Sequence, residues 1–385
     1  MKRGTTAVFA AGLLQGAAFV LIPSLGSILR GAPYALSNAA YGLLYFPEII
    51  GAVLAALAAG SVHQRLGARG LFRLGAALNG AAMALLVAAS FFAGPALMAT
   101  LLAETLLLGA GFGFTNAAIN RSASLLFAGA AAAAVTILNA VIGAATAVSP
   151  ILLNTGVHLL SWALWPAVLL LLWFALPLLP LAEESEHREF GGLGAWRRSM
   201  MPFAVAVMIY AVCEGSFASW ANVLVTVDRH LSAGTGALAL SLFWGGVTLA
   251  RFSLGVILDR DVSRRWGLLL APLGMGACFL LIPHLQSATA LLGAFAGAGL
   301  ACGIYYPYTM SYGIRAHGRE GTQMAGLLVG ALMVGEGIGS FGLGPLQNLF
   351  SLNGIYTASA LWSLPLMFLA WRNTRPGLQA RDSAR

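Results

Sequence analysis

Charge is scarce in this 385-residue sequence. Only 9% of its residues are Asp, Glu, Lys or Arg, 59% are hydrophobic and the mean hydropathy is +0.83, whereas a soluble domain carries about 25% charged residues. That shortage excludes an ordinary water-facing surface. Cysteine is nearly absent too: Cys213, Cys278 and Cys302 all lie inside apolar runs, which excludes a disulfide framework and a thiolate zinc site. Lysine occurs once, as Lys2, so the net charge of +8 rests on arginine. The six histidines (His63, His158, His187, His230, His284, His317) fall in loops or near the ends of apolar stretches, leaving no basis for a histidine relay at membrane depth. There is no H-E-x-x-H, G-x-S-x-G, Walker loop or paired-aspartate protease motif. An enzyme, a metal site and a cofactor are therefore not expected.

What the sequence has in abundance is long apolar stretches. Twelve segments of about 20 residues would occupy roughly 240 positions, and candidate spans start near Ala7, Ala40, Leu71, Ala96, Gly129, Val157, Met201, Gly236, Gly267, Thr289, Met324 and Ile355. The expected class is an all-α membrane protein with twelve transmembrane helices in two pseudo-symmetric six-helix bundles. With the N-terminus inside, 18 of the 21 cations fall in inner segments, Arg30 and Arg229 fall in outer loops, and Arg251 lies within the eighth span. By the positive-inside rule both termini are cytoplasmic and the protein is a multi-pass resident of the cell (inner) membrane. The basic excess thus marks a membrane face and not a nucleic-acid partner. Lys2 and Arg3 precede an apolar run too long for a signal peptide, which reads as a retained first helix.

The longest polar stretch, Ala182 to Met200, divides the chain into an N-terminal bundle (1–181), a cytoplasmic connector (182–200) and a C-terminal bundle with a short tail (201–385). Repetition supports the division. Gly60, Arg65 and Arg69 recur 195 positions later as Gly255, Arg260 and Arg264, and Pro150 recurs as Pro345. Two six-helix halves in parallel repeat are the arrangement of alternating-access transporters. A channel would instead be expected to show rings of like residues in a symmetric oligomer.

The loop Gly60-Ser61-Val62-His63-Gln64-Arg65-Leu66-Gly67-Ala68-Arg69 and its second copy, Gly255 to Arg265, resemble the G-x-L-a-D-R-x-G-R-R loop of the major facilitator superfamily. The resemblance covers the whole chain through helix count, repeat and loop position. It implies that Asp259, Arg260 and Arg264 latch neighbouring helix ends in the outward-facing state. Gln64 replaces the Asp of the first copy, so the latch there loses a carboxylate. The run Gly143 to Pro150 and the glycines Gly337, Gly339, Gly342 and Gly344 before Pro345 are similar to an antiporter motif, but Ser149 stands where Gly is expected and small residues also permit close packing. Glu214-Gly215, followed by Trp220, resembles a stretch of the fucose-permease-like subgroup, as does a Glu at position 104 in the fourth span.

Four acids are stranded in apolar spans: Glu48, Glu104, Glu214 and Glu336. Each lies roughly 12 to 20 Å from a span end at 1.5 Å per residue, near the middle of a ~30 Å core. An ionised carboxylate at that depth is costly and marks an interior or aqueous cavity, and desolvation favours its neutral form. Exchange of a proton there couples to which state of the two halves is preferred. In the family, helices one, four, seven and ten line a central cavity. The resemblance therefore implies a substrate cavity drawn from Gln15, Asn139, Trp220, Asn222, Trp244 and the stripe Tyr305, Tyr308 and Tyr312, facing Glu104 and Glu214. Arg251 is the one cation within a span, near its end, so an anionic substrate would meet repulsion. The expected function is proton-coupled secondary active transport of a small neutral or cationic organic solute. Two forms remain open: a sugar/proton symporter of fucose-permease type, and a drug or organic-cation/proton antiporter. The expected partners are that solute, protons and the lipid bilayer, around a monomer.

Overall fold

The computed structural model describes residues 4–127, 131–179, 198–257, 261–317 and 321–374, leaving aside the side chains of 131–133, 254–257, 261–264 and 321–322. The described residues form helices and the turns between them, with no strand. Helix is the element that satisfies every backbone donor and acceptor within one segment, which apolar surroundings demand. The first half comprises α1 (Thr5–Phe19), its short continuations α2 (Leu21–Ser24) and α3 (Gly26–Arg30), α4 (Asn38–Leu43), α5 (Tyr45–Ala89), α6 (Gly94–Leu126), α7 (Ala131–Leu159) and α8 (Leu164–Ala175). The second comprises α9 (Met201–Val223), α10 (Ala233–Ile257), α11 (Asp261–Leu281), α12 (Ala288–His317), α13 (Gly321–Leu346), α14 (Leu352–Ser359) and α15 (Ser363–Asn373).

Helix α5 is 45 residues long, about 68 Å at 1.5 Å per residue, more than twice a ~30 Å core. It is two crossings. The break falls at Gly67, whose φ of 70° and ψ of 177° belong to a region open almost only to glycine. Among the described residues nine helical runs are long and apolar enough to cross a membrane, the longest being Asn38–Ala89, and two further apolar helices, Thr5–Phe19 and Leu164–Leu178, are shorter. With the longest run divided at Gly67, the total is consistent with the expected twelve. One boundary differs: α7 continues to Leu159 and the next crossing begins at Leu164, not near Val157. Hydropathy does not see that turn because Leu159, Leu160 and Trp162 are themselves apolar.

The two halves repeat one another in backbone contacts. A Cβ on Gly109 of α6 would overlap the carbonyl oxygen of Glu48, one on Gly113 would meet the Ala52 carbonyl, and one on Gly51 would meet the Leu106 carbonyl. The same crossing recurs between α10 and α12, with Gly299 against the Phe243 carbonyl, Gly303 against Val247 and Gly246 against Ala296. A second crossing repeats as well: Gly16 lies against the Ile142 carbonyl and Thr146 Oγ1, and Gly215 lies against the Glu336 carbonyl and Ser340 Oγ. Small residues let helix backbones touch where lipid offers no hydrophobic force between helices. Glu48 thus occupies the place of Phe243 in the other half, and Glu336 that of Ile142.

Candidate functional site

Toward the face that carries residues 31–37, the halves are joined. The Ser27 amide donates to Asn222 Oδ1 at 3.1 Å, and the hydroxyls of Tyr41 and Tyr45 lie 3.1 and 3.3 Å from the Ser219 carbonyl oxygen, so that one donates to it while the other donates to its neighbouring tyrosine. The two tyrosines share a hydrogen bond of 2.6 Å, and Trp220 stands edge-on to Tyr41 with ring centroids 5.2 Å apart. Gly42 and Gly344 bring α4 and α13 into backbone contact. Below this joint lies a cavity with walls from both halves.

Two of the four acids line it. Glu48 comes from α5 and Glu336 from α13, each presented where the two helices pack closely, Ile49 against Gly337. Glu48 is 8% exposed, Glu336 is partly exposed, and the two are near enough to interact electrostatically. Aromatic rings share the lining: Phe19 tilts against Phe112 at 5.2 Å and meets Trp244 edge-on at 6.1 Å. Val20, Pro23, Ile49, Ala52 and Met333 complete the apolar lining. Ser219 and Ser340 also line the cavity, where the Ser219 hydroxyl donates to Ser340 Oγ at 2.7 Å. Trp244 is 7% exposed, and its indole nitrogen has no hydrogen-bond partner among the described residues.

Glu214 lies elsewhere and is not stranded. Its Oε1 accepts from Tyr210 at 2.7 Å and from Arg251 Nη2 at 3.0 Å. Residues distant in sequence on α9 and α10 thereby form an ion pair that the isolated spans do not reveal. Tyr210 stacks on Tyr305 and Tyr306 at 5.6 and 6.3 Å. Glu336 is within electrostatic reach of both Glu214 and Arg251, so this pair stands beside the cavity acids.

Glu104 is fully buried in the first bundle, lies within electrostatic reach of Glu48, and neither of its oxygens has a hydrogen-bond partner among the described residues. Gln15 is buried in the same bundle, where the Asn79 amide donates to it at 3.4 Å and to Thr115 Oγ1 at 3.1 Å. Neither Glu104 nor Gln15 lines the cavity.

The tyrosine stripe needs correction. Tyr305 is fully buried and donates to the Leu366 carbonyl at 3.1 Å, and the Tyr308 ring lies against Gly267 of α11. Both point into the second bundle and α12 contributes nothing to the cavity lining. Their neighbours are α15, through Leu366, and α11, through Gly267. Two other expected cavity residues hold helices together instead: Trp220 donates to the Ser340 carbonyl at 2.9 Å, and Asn222 accepts from Ser27. Asn139 is exposed and donates to Val135 in its own helix at 2.8 Å. Trp244 alone of that expected set lines the cavity. The missed members are Phe19, Phe112, Tyr45, Ser219, Met333 and Ser340, whose types recur throughout the chain and carry no distinguishing signal.

Of the expected loop residues, Gly60, Gln64, Arg65 and Arg69 flank the break at Gly67, with Gln64, Arg65 and Arg69 exposed. Arg69 lines a small crevice with Gly4, Phe72 and Ser122. Asp259 and Arg260 lie outside the described residues, as do 182–197 of the expected connector; Gly255 and Arg264 are described by backbone alone.

The model of the Major Facilitator Superfamily matches residues 5–341. No curated protein sequence matches the chain. Among solved structures it is similar to a mutant form of the nucleoside transporter NupG, with a TM-score of 0.75 at 14% identity over 96% of this chain and 99% of the other. It is also similar to the xylose transporter XylE of E. coli in its inward open conformation (0.72, 14%, 99% and 98%). A third likeness is to the E. coli fucose:proton symporter FucP (0.63, 15%, 96% and 98%). At such identities the likeness is one of fold. With the family model covering most of the chain and two helical halves meeting around one cavity, this multi-pass membrane protein belongs to the major facilitator superfamily of transporters.

Proposed function

We propose that the protein is a proton-coupled secondary transporter that moves a small neutral or cationic organic solute by alternating access, working as a single chain. The observation that carries this reading is the pair Glu48 and Glu336, one from each half, on the walls of one cavity. Two carboxylates in one poorly solvated cavity repel one another, and each is costly to ionise. Adding or removing a proton there changes the energy of bringing the halves together, and the solute bound between them shares that equilibrium. Glu104, buried within electrostatic reach of Glu48 and without a hydrogen-bond partner among the described residues, extends the set of groups able to hold a proton.

With the positive-inside rule applied, the joined face is the outer one, the termini are cytoplasmic and the chain stands in the cell (inner) membrane in an inward-facing arrangement. The solved structures it resembles include sugar and nucleoside transporters and a proton symporter, which agrees with small-solute transport. The test is uptake of a panel of sugars, nucleosides and organic cations into proteoliposomes with and without an imposed pH gradient. Accumulation of at least one solute that depends on the gradient is expected; transport that ignores the gradient for every member would overturn proton coupling.

A further inference from the structure

Resting on that transport reading, we infer that the cavity between the halves selects a lipophilic organic cation and rejects sugars. The distribution of polar groups decides between the two. A sugar buried in a site needs a hydrogen-bond partner for most of its hydroxyls, since each unpaired one carries a desolvation cost. Here the neutral hydroxyls are few and bound to one another: Ser219 donates to Ser340, and Tyr45 is bonded within the set it forms with Tyr41 and the Ser219 carbonyl. What is left to the space is two acids against an apolar lining.

A cation with an apolar body fits that remainder. Its charge meets Glu48 and Glu336, and the faces of Phe19, Phe112 and Trp244 supply stacking and cation–π attraction, which strengthens when the partners are desolvated. Among the described residues that line the cavity there is no Arg or Lys; Arg251, which is within electrostatic reach of Glu336, is bound to Glu214. A bound cation also relieves the repulsion between the two acids, so it takes the place that a proton holds in the empty cavity. Entry of the cation therefore releases a proton, which makes the cycle an exchange.

The experiment uses the purified full-length chain and radiolabelled tetraphenylphosphonium, with neutral triphenylphosphine oxide and xylose as competitors. The expected result is saturable binding that neither competitor displaces, weakened at least tenfold in Glu48→Gln and in Glu336→Gln, with Glu336→Asp retaining most of it. Size-exclusion profiles and thermal unfolding of each variant establish that the fold persists. Absence of saturable binding, or equal binding in both Gln variants, would overturn the inference. Gradient-driven uptake of xylose in proteoliposomes without any of the phosphonium would overturn the substrate class while leaving proton-coupled transport standing. Failure of every solute to respond to the gradient would strike the transport reading itself.

Discussion

Arg251 Nη2 lies 3.0 Å from Glu214 Oε1, and the Tyr210 hydroxyl donates to the same oxygen at 2.7 Å. Glu214 is 3% exposed by side chain and Arg251 is 38% exposed, so one end of the pair is dry and the other partly wet. This asymmetry makes the carboxylate depend on the guanidinium more than the reverse.

Removing the cation should therefore hurt more than removing the acid. Loss of one partner of a fully buried pair costs about 3–5 kcal/mol, and the partial exposure of Arg251 reduces this to roughly 1–3 kcal/mol. Arg251→Met should lower the unfolding temperature, Glu214→Gln should lower it less, and the double variant should recover part of the loss. Thermal unfolding in detergent measures all three; equal and additive effects would refute the coupling.

Glu104→Leu should make the protein more stable and less useful. Both carboxyl oxygens lack a described partner, and an unsatisfied buried polar group costs about 1–3 kcal/mol. A leucine removes that cost, so the unfolding temperature should rise, while accumulation driven by a pH gradient should fall to background. Glu104→Gln should show the same loss of accumulation with unchanged expression. Gradient-driven uptake that persists in both variants would leave Glu104 with a packing role only.

Two alanine substitutions separate close approach from helix propensity. Gly109→Ala places a methyl inside the Glu48 carbonyl oxygen and must push α6 from α5, an overpacking cost of about 1–3 kcal/mol. Gly293→Ala on α12 meets nothing within 4 Å and should stabilise by up to about 1 kcal/mol. Opposite shifts in unfolding temperature are expected.

Gly344→Val should part the outer joint, because Gly344 touches Gly42 backbone to backbone across the halves. Spin labels on cysteines introduced at Phe92 and Leu349, both exposed, report the separation, since the three native cysteines are buried. The distance distribution should move to longer values than in the parent protein; an unchanged distribution would show that the joint does not depend on this contact.

Much of the architecture was legible in the sequence because lipid imposes a one-dimensional rule: apolar stretches of sufficient length cross, and arginine collects on one face. The acids at membrane depth were legible for the same reason. Direction around a helix was not. The 3.6-residue period puts Tyr305, Tyr308 and Tyr312 on one face but is silent about whether that face meets a cavity or α11. The partner of Glu214 was hidden because Arg251 is on another helix, and the aromatic wall of Phe19 and Phe112 was hidden because phenylalanine in a membrane protein is ordinary. Only contacts between helices separate a lining residue from a packing one.

The twinned crossings described above have kept their spacing where backbone meets backbone and lost their likeness where the chain faces its passenger. Glu48 in one copy answers to Phe243 in the other, and Glu336 to Ile142. A protein assembled from two copies of either half would keep the scaffold yet set an acid against a hydrocarbon on both sides, whereas here Glu48 and Glu336 stand together where α5 meets α13. The paired charge thus comes from the difference between the halves, and the crossings they share supply the frame that presents it.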